Sequence, residues 1–202
     1  MGFLDAIKKA AMALLGGGTN ITANDYLEHI KSIPSLKSLT PEVIDQTDED
    51  DLSVLLINHI YALTDNHSHE SFNRHLIGLN TYRKTAYILS IVSDQFVTDI
   101  DEILAEHFAL LPYFPEALEA ADCQILKRYY EQVIEFIEKT YQGQLPFDNN
   151  PELDFEWTDA YIAFAKNMAP FNQAFQDIIR SEDIDTYQMF VEYMKANKTR
   201  FA

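Results

Sequence analysis

The longest uninterrupted helical pattern in this sequence runs from Pro115 to Gln142. Its apolar residues recur at steps of three and four, which at about 3.6 residues per turn gathers them on one broad face. They are Leu118, Ala121, Ile125, Leu126, Tyr129, Tyr130, Val133, Phe136, Ile137 and Tyr141. Pro115 suits a first helical turn, Gly143 suits the left-handed residue after the last turn, and Asp122 can cap a second start. We expect one long helix, or a short helix followed by a longer one, with a face wide enough to need several partner helices.

Apolar residues at helical spacing also occur before and after this stretch. The acidic run from Asp48 to Asp51 precedes a predicted helix from Leu52 to Leu63, and acids in a first turn suit the positive end of a helix dipole. Near the C-terminus, one pattern is expected to end at Pro170, which can itself open the next helix. Asp183 or Asp185 is expected to cap the last helix.

Together these patterns predict an all-α fold, a multi-helix bundle of about eight to ten helices in one layered domain. The β-branched content of residues 88–97 leaves a strand as the alternative there. The chain has 202 residues, enough for one large domain with a sizeable core. We expect that domain to cover residues 19–202. The turn-rich sequence QLPFDNNP offers a sub-division at 143–152 as the alternative.

Residues 1–18 form a separate feature, an amphipathic pattern followed by three glycines, Gly16 to Gly18. The pattern predicts a helix and a glycine linker. Three interpretations are open: a helix packed on the domain, a segment that docks on a partner or membrane surface, and a cleaved leader. No basic residue precedes the apolar stretch, and Lys8 and Lys9 interrupt it, which disfavours a leader.

The net charge is the strongest compositional feature. Fifteen Lys and Arg stand against 32 Asp and Glu, giving a formal charge of −17. Such a charge repels nucleic acid phosphates and anionic membranes, so a charged partner is expected to be a basic protein. The alternative is that the excess only maintains solubility. Hydrophobic residues make up 47% of the chain, which excludes a disordered polypeptide.

Sequence signatures of catalysis are missing. The chain has no phosphate-binding glycine loop, no Gly-x-Ser-x-Gly elbow, no cysteine pair for zinc, no His-Glu-x-x-His and no Glu-x-x-His. Its one cysteine, Cys123, has no internal disulfide partner and lies in a helical pattern, where a buried thiol behaves as a small hydrophobe. No apolar run is long enough to span a bilayer. We therefore expect a cytoplasmic protein with no catalytic residues, no cofactor and no membrane span.

The nearest approach to a metal site is a cluster of His67, His69, Glu70 and His75, with His59 one helix earlier. Alternate histidines in a loop can share a metal, but closing the coordination shell would require His75 or His59 to fold back. A solvated polar loop is the simpler interpretation, and we predict no bound metal. A metal-dependent enzyme built on the His67 region is the third functional reading.

Acidic residues at helical spacing are more informative. Carboxylates three or four residues apart on a helix stand about 5–6 Å from one another, roughly the scale of neighbouring phosphates on a nucleic acid strand. Two rows have this spacing, Asp99 with Glu102 and Glu106, and Glu131 with Glu135 and Glu138. Glu106 and His107 are adjacent in sequence and are given no joint role. The predicted partner-binding residues are Asp48, Glu49, Asp50, Asp51, Asp99, Asp101, Glu102 and Glu106.

Two segments carry a family resemblance. LLINHIYALTDNHSHESFNRHLIGLN, from Leu55 to Asn80, is preceded by acids, and YQMFVEYMKAN runs from Tyr187 to Asn197. They resemble a bacterial family of small acidic all-helical proteins. The family includes a DNA mimic that binds a transcription factor, and related members lie beside toxins as immunity proteins. The resemblance implies an acidic inhibitor of a basic protein and assigns a role to no single residue.

We therefore expect an acidic cytoplasmic binding protein that neutralises a basic protein partner, as a toxin immunity protein or a DNA mimic does. The basis is the charge of −17 together with the missing catalytic motifs. Electrostatic steering supplies the mechanism, because a strong field speeds encounter with an oppositely charged partner. The alternative is a helical adaptor or scaffold that docks through its N-terminal amphipathic helix.

Overall fold

The computed structural model describes residues 28, 30–63, 69–93, 99–147 and 158–202. Within these ranges every regular element is helical and no strand occurs, which confirms the all-α prediction. The α-helices are α1 (Pro34–Lys37), α2 (Pro41–Gln46), α3 (Leu52–Leu63), α4 (His69–Gly78), α5 (Thr81–Ser93), α6 (Ile100–His107), α7 (Phe114–Ala120), α8 (Gln124–Tyr141), α9 (Asp159–Ser181) and α10 (Thr186–Ala196). Shorter 3-10 segments are Glu49–Asp51, Phe108–Tyr113 and Lys198–Arg200. The helix and glycine linker expected at 1–18 lie outside the described ranges.

The chain divides into two compact units. Unit 1 comprises residues 1–66 and 194–202, and unit 2 comprises residues 67–193. The sub-division offered by the sequence at 143–152 falls inside unit 2, and its last five residues lie outside the described ranges. Among the described residues, no helix is both long and apolar enough to cross a bilayer.

Unit 1 is built around the buried face of α3 and the C-terminal segment of the chain. Its fully buried apolar side chains are Ile30, Leu39, Ile44, Leu52, Leu56, Ile60, Met194 and Phe201. Three of them recur every fourth residue along α3, as the sequence pattern predicted. Helix α3 contacts α1, and His59 Nδ1 lies 2.6 Å from the carbonyl oxygen of Leu36. That hydrogen bond joins the two helices inside the core.

Unit 2 has an aromatic core along α8. The buried residues of α8 are Leu126, Tyr129, Tyr130, Val133 and Ile137, all from the predicted apolar face. The ring centroids of Tyr130 and Phe114 lie 4.7 Å apart, and those of Tyr129 and Phe175 lie 5.4 Å apart. These contacts pack α8 against α7 and α9, in keeping with the several partner helices that the wide face requires.

The long central pattern is broken into two helices, the second of the two alternatives expected from the sequence. Helix α7 ends at Ala120 and α8 begins at Gln124. Between them Asp122 adopts a left-handed conformation (φ 57), and the amide of Cys123 donates to the carbonyl oxygen of Leu118 at 2.9 Å. A left-handed residue of this kind closes the last turn of a helix and lets the chain start a new one.

Helix α9 contradicts the prediction made at Pro170. The sequence suggested that one helix ends there and another begins, whereas α9 is one helix of 23 residues with Pro170 in its interior. A proline in a helix loses one backbone hydrogen bond and crowds the preceding turn. Pro170 is on the exposed side of α9, while Met168 and Phe175 on either side of it are buried. Burial of the flanking turns offsets the local cost, and solvent can reach the carbonyl that the proline leaves unbonded.

Candidate functional site

The first acidic surface consists of Asp48, Glu49, Asp50 and Asp51 in unit 1, and all four are exposed. Glu49, Asp50 and Asp51 form the 3-10 turn that leads into α3, and Asp48 directly precedes it, so the acids lie at the start of that helix as predicted. Carboxylates there interact favourably with the positive end of the helix dipole. Good helix initiation therefore accounts for part of this surface without any partner.

The C-terminal segment of unit 1 neutralises part of the same region. Lys195 forms an ion pair with Glu49, and Lys198 forms an ion pair with the nearby Asp45. The carboxylates of Asp48, Asp50 and Asp51 have no basic partner among the described residues. Three charges of the first acidic surface are thus available to a partner, and the fourth is already balanced within the chain.

The second acidic surface consists of Asp99, Glu102 and Glu106 in unit 2. Asp99 and Glu102 are exposed, and the Glu106 side chain is 32% exposed. Partial burial raises the pKa of Asp99, and the charge of Asp101 adds to the rise. The ionised form of Asp99 is thus disfavoured mainly by partial burial.

Asp101 was predicted to lie on a partner-binding surface, but the structure places it in the interior of unit 2. It is 6% exposed, and its two carboxylate oxygens accept hydrogen bonds from Tyr161 Oη and Asn172 Nδ2, both at 2.9 Å. Asn172 also accepts from the amide of Ile100 at 2.8 Å. Asp101 therefore joins the start of α6 to α9, and a partner cannot reach it.

Glu106 and His107 are closer than their adjacency on a helix suggested. His107 Nε2 lies 3.8 Å from Glu106 Oε2, at the residue where α6 ends. The His107 ring meets the buried ring of Tyr87 edge to face, with centroids 5.9 Å apart. Burial, and then the charge of Glu106, raises the pKa of the Tyr87 hydroxyl. Glu106 thus lies at the edge of the core, and the second acidic surface is less uniform than the first.

A third row, Glu131, Glu135 and Glu138, lies on the exposed side of α8. Lys139 donates to Glu135, and this hydrogen bond, followed by the charge of Lys139, lowers the pKa of the carboxyl. The row has the regular spacing expected from the sequence, with one of its three charges balanced by a neighbour one turn away.

The histidine cluster falls partly outside the described residues. His67 lies outside them, as do the side chains of His69 and Glu70, whose backbone belongs to α4. His75 is half-buried near the end of that helix, and His59 is buried in unit 1, where it bonds to Leu36. In the part of the chain that the structure describes, no group of three or more His, Cys, Asp or Glu side chains is placed to hold a metal ion.

Sequence reasoning missed a cavity of about 250 Å³ in unit 2. It lies between α5 and the segment that runs from the 3-10 turn into α7, and its lining residues are Thr81, Lys84, Thr85, Ile88, Tyr113, Glu116 and Ala117. The ammonium group of Lys84 sits 4.0 Å from the centroid of the Tyr113 ring, a cation–π distance. No local pattern in the sequence indicates this site, because Lys84 and Glu116 belong to different helices.

Comparison with known proteins gives no match to a protein-family model, to a curated protein or to a solved structure.

Proposed function

We propose that this protein is an acidic binding protein that neutralises a basic protein partner in the bacterial cytoplasm, as a toxin immunity protein or a DNA mimic does. The observation that supports the proposal is the charge of −17, combined with exposed acidic rows in both units. Internal ion pairs balance only part of that charge. The family resemblance of residues 55–80 and 187–197 points the same way.

Steering by the electrostatic field is the proposed mechanism. A surface of one sign attracts an oppositely charged partner over about a Debye length, roughly 8–10 Å at physiological salt, and raises the rate of encounter. Charges at the rim of an interface change the association rate and its salt dependence more than the dissociation rate. The proposed function thus predicts a rapid, salt-sensitive association step.

The first acidic surface is the leading contact region. Asp48, Asp50 and Asp51 are exposed, consecutive or nearly so, and without a basic partner among the described residues. In the second acidic surface Glu106 is partly buried against the core. In the row on α8, Glu135 forms an ion pair with Lys139. We therefore expect neutralisation of the first surface to slow association the most.

The test uses variants that each remove three negative charges. They are D48N/D50N/D51N, D99N/E102Q/E106Q and E131Q/E135Q/E138Q, with D177N/E182Q/D183N at the end of α9 as the control of equal net charge. A partner is first captured from the native host at low salt and identified, and its association rate with each variant is then measured against ionic strength. Relative to the control, we expect the first variant to associate more slowly, with an association rate that depends less on salt. Four variants of equal rate and equal salt dependence would show that the acids only maintain solubility.

Competition then separates the two kinds of inhibitor. If the chain is a DNA mimic, duplex DNA competes with it for the captured protein. If the chain is an immunity protein, the captured protein is a toxin whose activity stops in the complex. Capture of an acidic protein, or of a complex insensitive to salt, would count against neutralisation of a basic partner in either form.

A further inference from the structure

Two side chains of opposite charge line the cavity of unit 2, the half-buried Lys84 and the exposed Glu116. They form no ion pair with each other. Neither has an oppositely charged partner elsewhere among the described residues, and the one contact recorded for the ammonium of Lys84 is the face of Tyr113.

The remaining lining residues complete a polar site on an apolar floor. Ile88 and Ala117 are buried, with 0% and 1% of their surfaces exposed, and form the floor. Thr81 adds a hydroxyl group from the first turn of α5, whereas the hydroxyl of Thr85, one turn further on, shares a hydrogen bond with Tyr193. The volume of about 250 Å³ is slightly below the range of about 300–1,000 Å³ typical of small-molecule sites. A ligand must therefore be small, with one polar group for Lys84 and another for Glu116.

We propose that this cavity binds a small zwitterion of the α-amino acid class, with its carboxylate against Lys84 and its ammonium group against Glu116. A simple anion would be attracted by Lys84 but repelled by Glu116. A simple cation would be attracted by Glu116 but repelled by Lys84. Only a ligand carrying both charges satisfies the two side chains together, and hydrogen bonds to ionised groups are the strong ones. The cation–π contact holds the ammonium of Lys84 at the cavity wall before the ligand arrives.

The test is a titration of the full chain with the common free amino acids, followed by NMR. Each amino acid that binds is then compared with its N-acetyl derivative, which lacks the positive charge, and its amide, which lacks the negative one. We expect saturable shifts at Thr81, Thr85 and Ala117, and a loss of about tenfold or more in affinity for each derivative. Shifts confined to other residues, or equal binding of amino acid and derivatives, would overturn the proposal.

Variants supply the second readout. K84Q and E116Q should each weaken binding about tenfold, while K84R, which keeps the positive charge, should weaken it less. E135Q and K139Q, which change one acid and one base on α8, serve as the matched control and should bind as the native chain does. Since Glu116 is exposed and makes no recorded contact, E116Q tests the site even where K84Q perturbs folding. Saturating concentrations of every amino acid that leave the spectrum unchanged would also refute the site.

Discussion

Tyr161 Oη donates a hydrogen bond to Asp101 Oδ2 at 2.9 Å across 60 positions of sequence. The two residues lie in the first turns of α9 and α6, and Asn172 completes the cluster by bonding both Asp101 and the amide of Ile100. The N-terminus of α6 is thereby capped by a side chain of another helix, because Asp99 at the usual capping position makes no such bond. A buried carboxylate with two donors ties these helices together.

The first prediction concerns that carboxylate. Tyr161→Phe removes one donor while keeping the ring, so Asp101 is left buried with a single side-chain partner. We expect the free energy of unfolding to fall by about 1.5–3 kcal/mol, the range for a hydrogen bond to a charged group. Urea denaturation of the purified variant measures it.

Tyr141→Phe is the matched control for that change. Its hydroxyl accepts a bond from Asn167 at 2.7 Å, but the pair is exposed to solvent, so water replaces it on deletion. We expect a change within about 0.5 kcal/mol. If both variants lost the same stability, the carboxylate cluster would have no special role.

Asp101 also shows what periodicity can and cannot predict. The acids of α6 were expected on a helix surface because of their spacing and charge alone. In a helix of eight residues with five buried, the pattern does not say which polar residue turns inward. That depends on Tyr161 and Asn172, which are 60 and 71 positions away, and no local signal connects them to Asp101.

The sequence predicted helix caps and left-handed residues better than contacts between residues far apart in the chain. Asp185, one of two predicted caps, accepts the amide of Gln188 at 2.8 Å and starts α10. Gly143 is left-handed as expected, with φ 72, and follows Gln142 in the same conformation. Both features depend only on residues a few positions away in the sequence. The cavity between Lys84 and Glu116 needs two helices packed together, and the sequence alone did not reveal it.

The second prediction is a stabilising substitution in the aromatic core. Tyr130 is fully buried, and its hydroxyl has no hydrogen-bond partner in the described part of the chain. Leaving a buried hydroxyl unsatisfied costs about 1–3 kcal/mol. Tyr130→Phe removes that cost and keeps the ring contact with Phe114, so we expect the free energy of unfolding to rise by about 1 kcal/mol.

The same substitution at the neighbouring Tyr129 should lower the free energy of unfolding instead of raising it. Tyr129 Oη donates to the carbonyl oxygen of Phe171 at 3.1 Å, so Tyr129→Phe loses a bond. We expect the free energy of unfolding of this variant to fall by about 0.5–1.5 kcal/mol. Equal destabilisation by both variants in the same denaturation experiment would mean that Tyr130 Oη is satisfied, for example by an internal water molecule.

The third prediction is a difference in titration between two exposed acids. The hydrogen bond from Lys139, and then its charge, hold the pKa of Glu135 below its ordinary value, whereas burial and the charge of Asp101 raise the pKa of Asp99. A lowered pKa contributes stability above the unfolded pKa that is lost as pH falls through the folded one, and a raised pKa has the reverse sign. Carbon-detected NMR of the side-chain carboxyls measures both.

Lys139→Gln separates the two acids. It removes both causes that lower the pKa of Glu135, so we expect that pKa to rise towards its ordinary value. The pKa of Asp99 should stay where it is, because its causes are burial and Asp101. Glu135 is fully exposed, so the effect is expected in the titration curve and not in stability. An unchanged Glu135 titration in the variant would show that the contact with Lys139 does not persist in solution.

The last prediction concerns the two lysines that balance acids of unit 1, and it rests on the proposed function. Lys195→Gln with Lys198→Gln releases Glu49 and Asp45 from their ion pairs and makes the region around the first acidic surface more negative. Association with a basic partner should then become faster and more sensitive to salt, the opposite of what D48N/D50N/D51N does. Stopped-flow mixing with the captured partner at several salt concentrations measures both quantities.

The fold should tolerate this double substitution. Both lysines are partly exposed, and an exposed ion pair contributes about 0–1 kcal/mol. The C-terminal segment is held instead by Phe201, which is fully buried, so Phe201→Ala should cost about 3–5 kcal/mol. A double lysine variant as unstable as Phe201→Ala would show that the ion pairs hold the segment in place. Normal stability with a slower or unchanged association rate would show that the first acidic surface does not steer the partner, and the row on α8 would become the better candidate.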